Sequence, residues 1–89
     1  MTESIRLEPN TAVAMLWDFF GPNAPQTAEH HRIHLGEFVQ AEQLKPLALE
    51  LVNRPDKTTV SMVLPWNVVQ ELKPILKPHR GQIWTKPPK

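Results

Sequence analysis

The stretch Lys45-Pro-Leu-Ala-Leu-Glu-Leu-Val-Asn53, with Arg54-Pro-Asp-Lys57 and Thr58-Thr-Val-Ser-Met-Val-Leu64 after it, decides the fold. Read as a helix, its first part puts Leu44, Leu47, Ala48 and Leu51 on one face, with Pro46 near the first turn. Read as a strand, it turns Leu47, Leu49 and Leu51 inward by the two-residue alternation of an extended chain. The residues from Arg54 onward favour the strand. Arg54-Pro-Asp-Lys57 has proline at the second position of a type I turn, where its fixed φ suits the backbone. Beyond it, Val60, Met62 and Leu64 alternate with Thr59, Ser61 and Val63. Two alternating runs around such a turn make a β-hairpin, and a helix leading into a strand is the other reading of residues 44–53.

Upstream, Thr11-Ala-Val-Ala-Met-Leu-Trp-Asp-Phe-Phe20 is nearly all apolar and is bounded by Pro9-Asn10 and Gly21-Pro22. As a strand it sends Val13, Met15, Trp17 and Phe19 to one face and Ala12, Ala14, Leu16 and Phe20 to the other, as a central strand requires. Residues 23–40 have helical spacing instead. Ala24, Ala28, His31, Leu35, Phe38 and Val39 recur every three or four positions, Asn23 can cap the start, and Pro25 falls in the first turn. Gly36 interrupts this stripe and marks a place of close packing. Downstream, Pro65 opens a second helix with Val68, Val69, Leu72, Ile75 and Leu76 as its stripe, and Pro74 should end or kink it. Lys77-Pro-His-Arg-Gly81 is a turn, and Gln82-Ile-Trp-Thr85 a short last strand.

The order strand–helix–strand–strand–helix–strand resembles the ferredoxin-like βαββαβ arrangement, an α+β fold with an antiparallel sheet and two helices on one face. The resemblance is one of topology and length. It implies no activity, because this topology carries many unrelated functions.

Eighty-nine residues suit one domain, with residues 1–8 and 86–89 as frayed ends. The chain has no cysteine, which excludes disulfides, thiolate catalysis and cysteine zinc sites and fits a cytoplasmic protein. No run is long and apolar enough for a membrane helix, so no membrane partner is expected, and no motif implies a cofactor. Net charge is only +1, yet from Lys73 onward there are five basic residues and no acid. That end, with Trp84 inside it, could touch nucleic acid through phosphates and one stacked ring; a solvated basic tail is the plainer reading.

His30, His34 and Glu37 fall at i, i+4 and i+7 on one helical face, so they are candidates for a divalent metal. The zincin signature is absent, and a solvated polar face accounts for them, so no metal is expected. His31 differs, because it lies within the apolar stripe and needs a hydrogen-bond partner there. Asp18, the acid that interrupts the apolar strand, is the candidate partner. These residues support two functional readings. One is a small binding and association module, homodimeric through its sheet, holding a small apolar ligand with Trp17, His31 and Phe20. The other is a small cofactor-independent enzyme with a pocket that uses His31 and Asp18. The dimer expectation rests on the apolar character of both faces of the first strand, since two helices cover only one.

Overall fold

The computed structural model describes residues 8–84. It has the expected ferredoxin-like order: β1 (Ala12–Phe19), α1 (Ala24–Ala41), β2 (Ala48–Asn53), β3 (Thr58–Pro65), α2 (Trp66–Leu76) and β4 (Arg80–Ile83). One antiparallel sheet runs β2-β3-β1-β4, with β1 and β3 in the middle. The hairpin reading of residues 45–64 is therefore the right one. Arg54 N–H donates to Lys57 O at 2.8 Å and closes the turn. The expectation of frayed ends over 1–8 and 86–89 falls outside the described residues, Glu8 aside.

Both helices lie on the face carrying Val13, Met15 and Trp17 of β1 and Val60, Met62 and Leu64 of β3, all buried. Ala28, Leu35 and Val39 of α1 and Val69 and Leu72 of α2 meet them there. Leu49 and Leu51 pack at the edge of this core, but Leu47, expected to point inward, is 60% exposed because the strand begins only at Ala48. Phe38 is half-buried at the core margin.

The helix ends differ from expectation in detail. Asn23 occupies the N-cap of α1, but its side chain makes no capping hydrogen bond. Pro65 is the N-cap of α2 rather than its first residue. Pro74 stays inside α2, which ends two residues later as Lys77 turns left-handed (φ 50) and donates its N–H to Lys73 O at 2.9 Å. A proline interrupts the helical ladder, so a stop within one turn is its physical consequence. Trp17 Nε1 donates to Leu76 O at 3.1 Å, satisfying a carbonyl that the helix end leaves bare. The last strand begins at Arg80, earlier than Gln82, because Gly81 and Gln82 already pair with Met15 and Ala14.

The opposite face of the sheet carries a second apolar cluster. Ala14 (1% exposed), Leu16 (6%) and Val63 (0%) are buried, with Ala12, Ala48 and Trp84 packed against them. The face of β1 that the helices leave uncovered is thus not bare at Ala14 and Leu16, contrary to the ground of the dimer expectation. Trp84 N–H donates to Ala12 O at 2.9 Å, which fixes the Trp84 backbone beside these residues. Around them stand Glu50, Lys57, Thr59, Ser61, Arg80 and Gln82, a mixed polar surface. No described helix is long and apolar enough to cross a membrane.

Candidate functional site

The stripe of α1 brings His31 onto the helix side of β1, with ring centroids 4.9 Å from Trp17 and 5.5 Å from Phe19. Its Nε2 is buried and has no hydrogen-bond partner among the described residues. Burial pushes the imidazole below its ordinary pKa of 6.5, and His79 and His34 push in the same direction. Both effects favour the neutral ring.

Asp18 points to the other side of the sheet. Its carboxylate accepts hydrogen bonds from Arg80 Nε at 2.7 Å, Arg80 Nη2 at 3.0 Å and Thr59 Oγ1 at 2.7 Å, with Lys57 Nζ at 3.7 Å. The Arg80 hydrogen bonds, then those of Thr59 and the charges of Arg80 and Lys57, outweigh desolvation and hold the carboxyl well below the usual carboxylate range. A carboxylate so occupied is a clamp that ties β4 and β3 to β1. The expected His31–Asp18 pairing is not made. Trp17, Asp18 and Phe19 are consecutive strand residues, so Asp18 faces away from the helix side on which His31 packs. The histidine beside Asp18 is His79, whose Nδ1 accepts the Asp18 backbone N–H at 2.9 Å.

Trp17, His31 and Phe20 do not share a ligand site either. The Trp17 ring is 3% exposed within the core, and Phe20, past the end of β1, is 67% exposed. On the outer side of α1 the rings of His30 and His34 lie 5.1 Å apart, and His34 Nδ1 is 3.7 Å from Glu37 Oε1. Both His34 and Glu37 are largely exposed. Among the described residues no three His, Asp or Glu side chains converge as a metal site would require.

A concavity with an apolar floor lies elsewhere, between α2 and β4. It has a volume of about 420 Å³ and a floor of Val13 and Met15. Trp66, Val69 and Lys73, at spacings of three and four, form the wall on α2. Gly81 and Ile83 form the wall on β4, and Pro78-His79 closes one end. The cleft exists because β4 puts glycine opposite Met15. A Cβ at Gly81 would meet only Ala14 O, at 3.7 Å, so nothing fills the space above Met15. Lys73 Nζ stands 5.7 Å from the Trp66 ring centre, a cation–π distance, and no described carboxylate pairs with it. An apolar floor with a cation at its rim is the usual make-up of a small-ligand site. Two other depressions differ: the one over the open sheet face has Ala14, Leu16 and Trp84 beneath it but is ringed by Glu50, Arg54, Asp56, Lys57 and Arg80, and the one beside the β2–β3 turn is walled by loop prolines and polar residues.

The sequence alone does not single out Trp66, Lys73, His79 or Gly81 as site residues. The signal it does hold is the 66/69/73 spacing opposite a glycine in the last strand.

Fold and cleft together define a ferredoxin-like α+β domain with an apolar groove at one sheet edge. Comparison with protein-family models, curated proteins and solved structures finds no match to this chain.

Proposed function

We propose that this protein is a non-catalytic binding and association module whose ligand site is the α2–β4 cleft. One observation carries the reading: a concavity of about 420 Å³ whose floor is the apolar pair Val13 and Met15. The chemistry that fits is a small apolar group, aromatic or branched aliphatic, with a carboxylate reaching Lys73. The enzyme reading has less support, because neither His31 nor Asp18 lines the cleft and the two face opposite sides of the sheet. Nucleic-acid binding has little support as well: Arg80 is engaged by Asp18, and Trp84 packs on the apolar cluster of the open face. A cytoplasmic setting belongs to the proposal and is supported by the cysteine-free composition.

The test is an NMR titration of the full chain with 4-phenylbutyrate and with the uncharged 4-phenylbutanol. Amide shifts clustered at Val13, Met15, Val69 and Gly81, larger for the anion and equalised by Lys73→Ala, are expected. Absence of any shift there at ~5 mM, a concentration that detects even millimolar affinities, would remove the reading.

A further inference from the structure

The same strand that walls the cleft is a sheet edge. β4 is last in the order β2-β3-β1-β4, so one side of its backbone has no partner among the described residues. Trp84 N–H donates to Ala12 O, which makes that pair, and by alternation Gln82–Ala14, the hydrogen-bonded kind. The Ile83–Val13 and Gly81–Met15 pairs are then the non-bonded kind, so the N–H and C=O groups of Gly81 and Ile83 point outward, away from β1. Residues 81–83 carry no charge, and the one charge on the strand, Arg80, is already held by Asp18. β4 carries no lysine or proline, and its protection as an edge is limited to its shortness and to Arg80.

We infer that two copies of this chain pair through antiparallel β4 strands, about a twofold axis at Gln82. In that register Gly81 stands opposite Ile83 of the partner subunit, and each exchanges its outward N–H and C=O with the other, twice by symmetry. The side chains fit the same register. Ile83, 52% exposed in the single chain, lies beside the position where Gly81 has no side chain, so large meets small on the helix side. On the other side Arg80, held by Asp18, comes opposite the partner's Trp84. The two sheets become one eight-stranded sheet, and the partner's Ile83 extends the outer wall of the α2–β4 cleft. The pairing uses the sheet edge and needs no apolar surface on the open face. It also stands without any ligand in the cleft.

The absence of cysteine permits a direct test on the full chain. Gln82 and its symmetry mate are a non-bonded cross-strand pair with Cα atoms about 4.5 Å apart, within disulfide reach. Gln82→Cys should cross-link to a dimer under mild oxidation, and Glu50→Cys, on the other edge strand, should not. Sedimentation equilibrium at ~10–100 μM should give a dimer mass for the natural chain. Ile83→Pro should halve that mass and abolish the Gln82→Cys cross-link, because it removes an outward N–H that the monomer does not use. A monomeric mass throughout this range overturns the inference, as does Gln82→Cys cross-linking no faster than Glu50→Cys. A dimer that survives Ile83→Pro with the fold intact by circular dichroism also overturns it. Should Ile83→Pro fail to fold, the two cysteine variants decide alone.

Discussion

The chain is two βαβ halves of unequal reach. In the first, β1 of 8 residues leads into α1 of 18 and β2 of 6; in the second, β3 of 8 leads into α2 of 11 and β4 of 4. α1 is long enough to cover its share of the sheet, with Leu35 and Val39 buried and Gly36 close to Leu49. α2 is cut short after Pro74, and its Ile75 stays 63% exposed. One topology thus gives a sealed half and an open half. The sealed half supplies stability, and the open half leaves both a cleft and a bare strand edge.

The sharpest way to break this contrast is to truncate one leucine-sized side chain in each half. Leu35→Ala should cost ~2–5 kcal/mol, since Leu35 is fully buried and its loss leaves a cavity. Ile75→Ala should cost under ~0.5 kcal/mol as an exposed substitution. Urea unfolding that finds equal costs would mean that the two halves are equally packed.

A smaller effect is expected where the halves are joined. Asp18→Asn should cost ~1–3 kcal/mol, the range for hydrogen bonds to a charged group, reduced by the partial exposure of Arg80. Hydrogen exchange at Gln82 and Trp84 should rise as β4 loosens. The pH sign is set by the folded carboxyl lying below its ordinary 3.8. The clamp contributes fully above that value, and its contribution is lost as pH falls below it and the unfolded chain takes the proton first. The natural chain should therefore lose stability below about pH 4 more steeply than Asp18→Asn. Parallel acid limbs in the two proteins would contradict the clamp.

His31 gives a third, weaker probe, in the sealed half. Its folded pKa is depressed, so the unfolded chain binds the proton first as pH drops below 6.5, and stability falls with pH in that window. His31→Leu should remove this slope and add about 1 kcal/mol near neutrality by deleting the unpartnered Nε2. An unchanged slope would point to other groups. The least effect belongs to Gly36→Ala. A Cβ there meets Leu49 Cδ2 at 3.8 Å, an ordinary contact, so the helix should gain ~0.5–1 kcal/mol. A loss would show that α1 lies closer to β2 than this contact implies.

Local pattern made most of the fold legible. The alternation on both sides of Arg54–Lys57, the stripe from Ala24 to Val39 and the proline at 65 each specify an element through nearby residues alone. The site was legible only in part. Asp18 stood out as an acid in an apolar strand, but its partner Arg80 is 62 positions away, and no spacing rule joins them. His31, the polar member of an apolar stripe, lies against the rings of Trp17 and Phe19. The parity of the strand, which sends Asp18 to the other face, was already readable from Trp17 and Phe19. The cleft was not, because it depends on how far a short helix reaches over an edge strand and on one glycine there.

The central claim is that the open half, and not the His31 environment, holds the ligand. Gly81→Val tests it most directly, because the added side chain has room on the backbone and occupies the space above Met15. With 4-phenylbutyrate as the probe, Gly81→Val should keep its fold by circular dichroism and weaken binding at least ~10-fold, a change of about 1.4 kcal/mol. Undiminished binding by a folded Gly81→Val chain would contradict it.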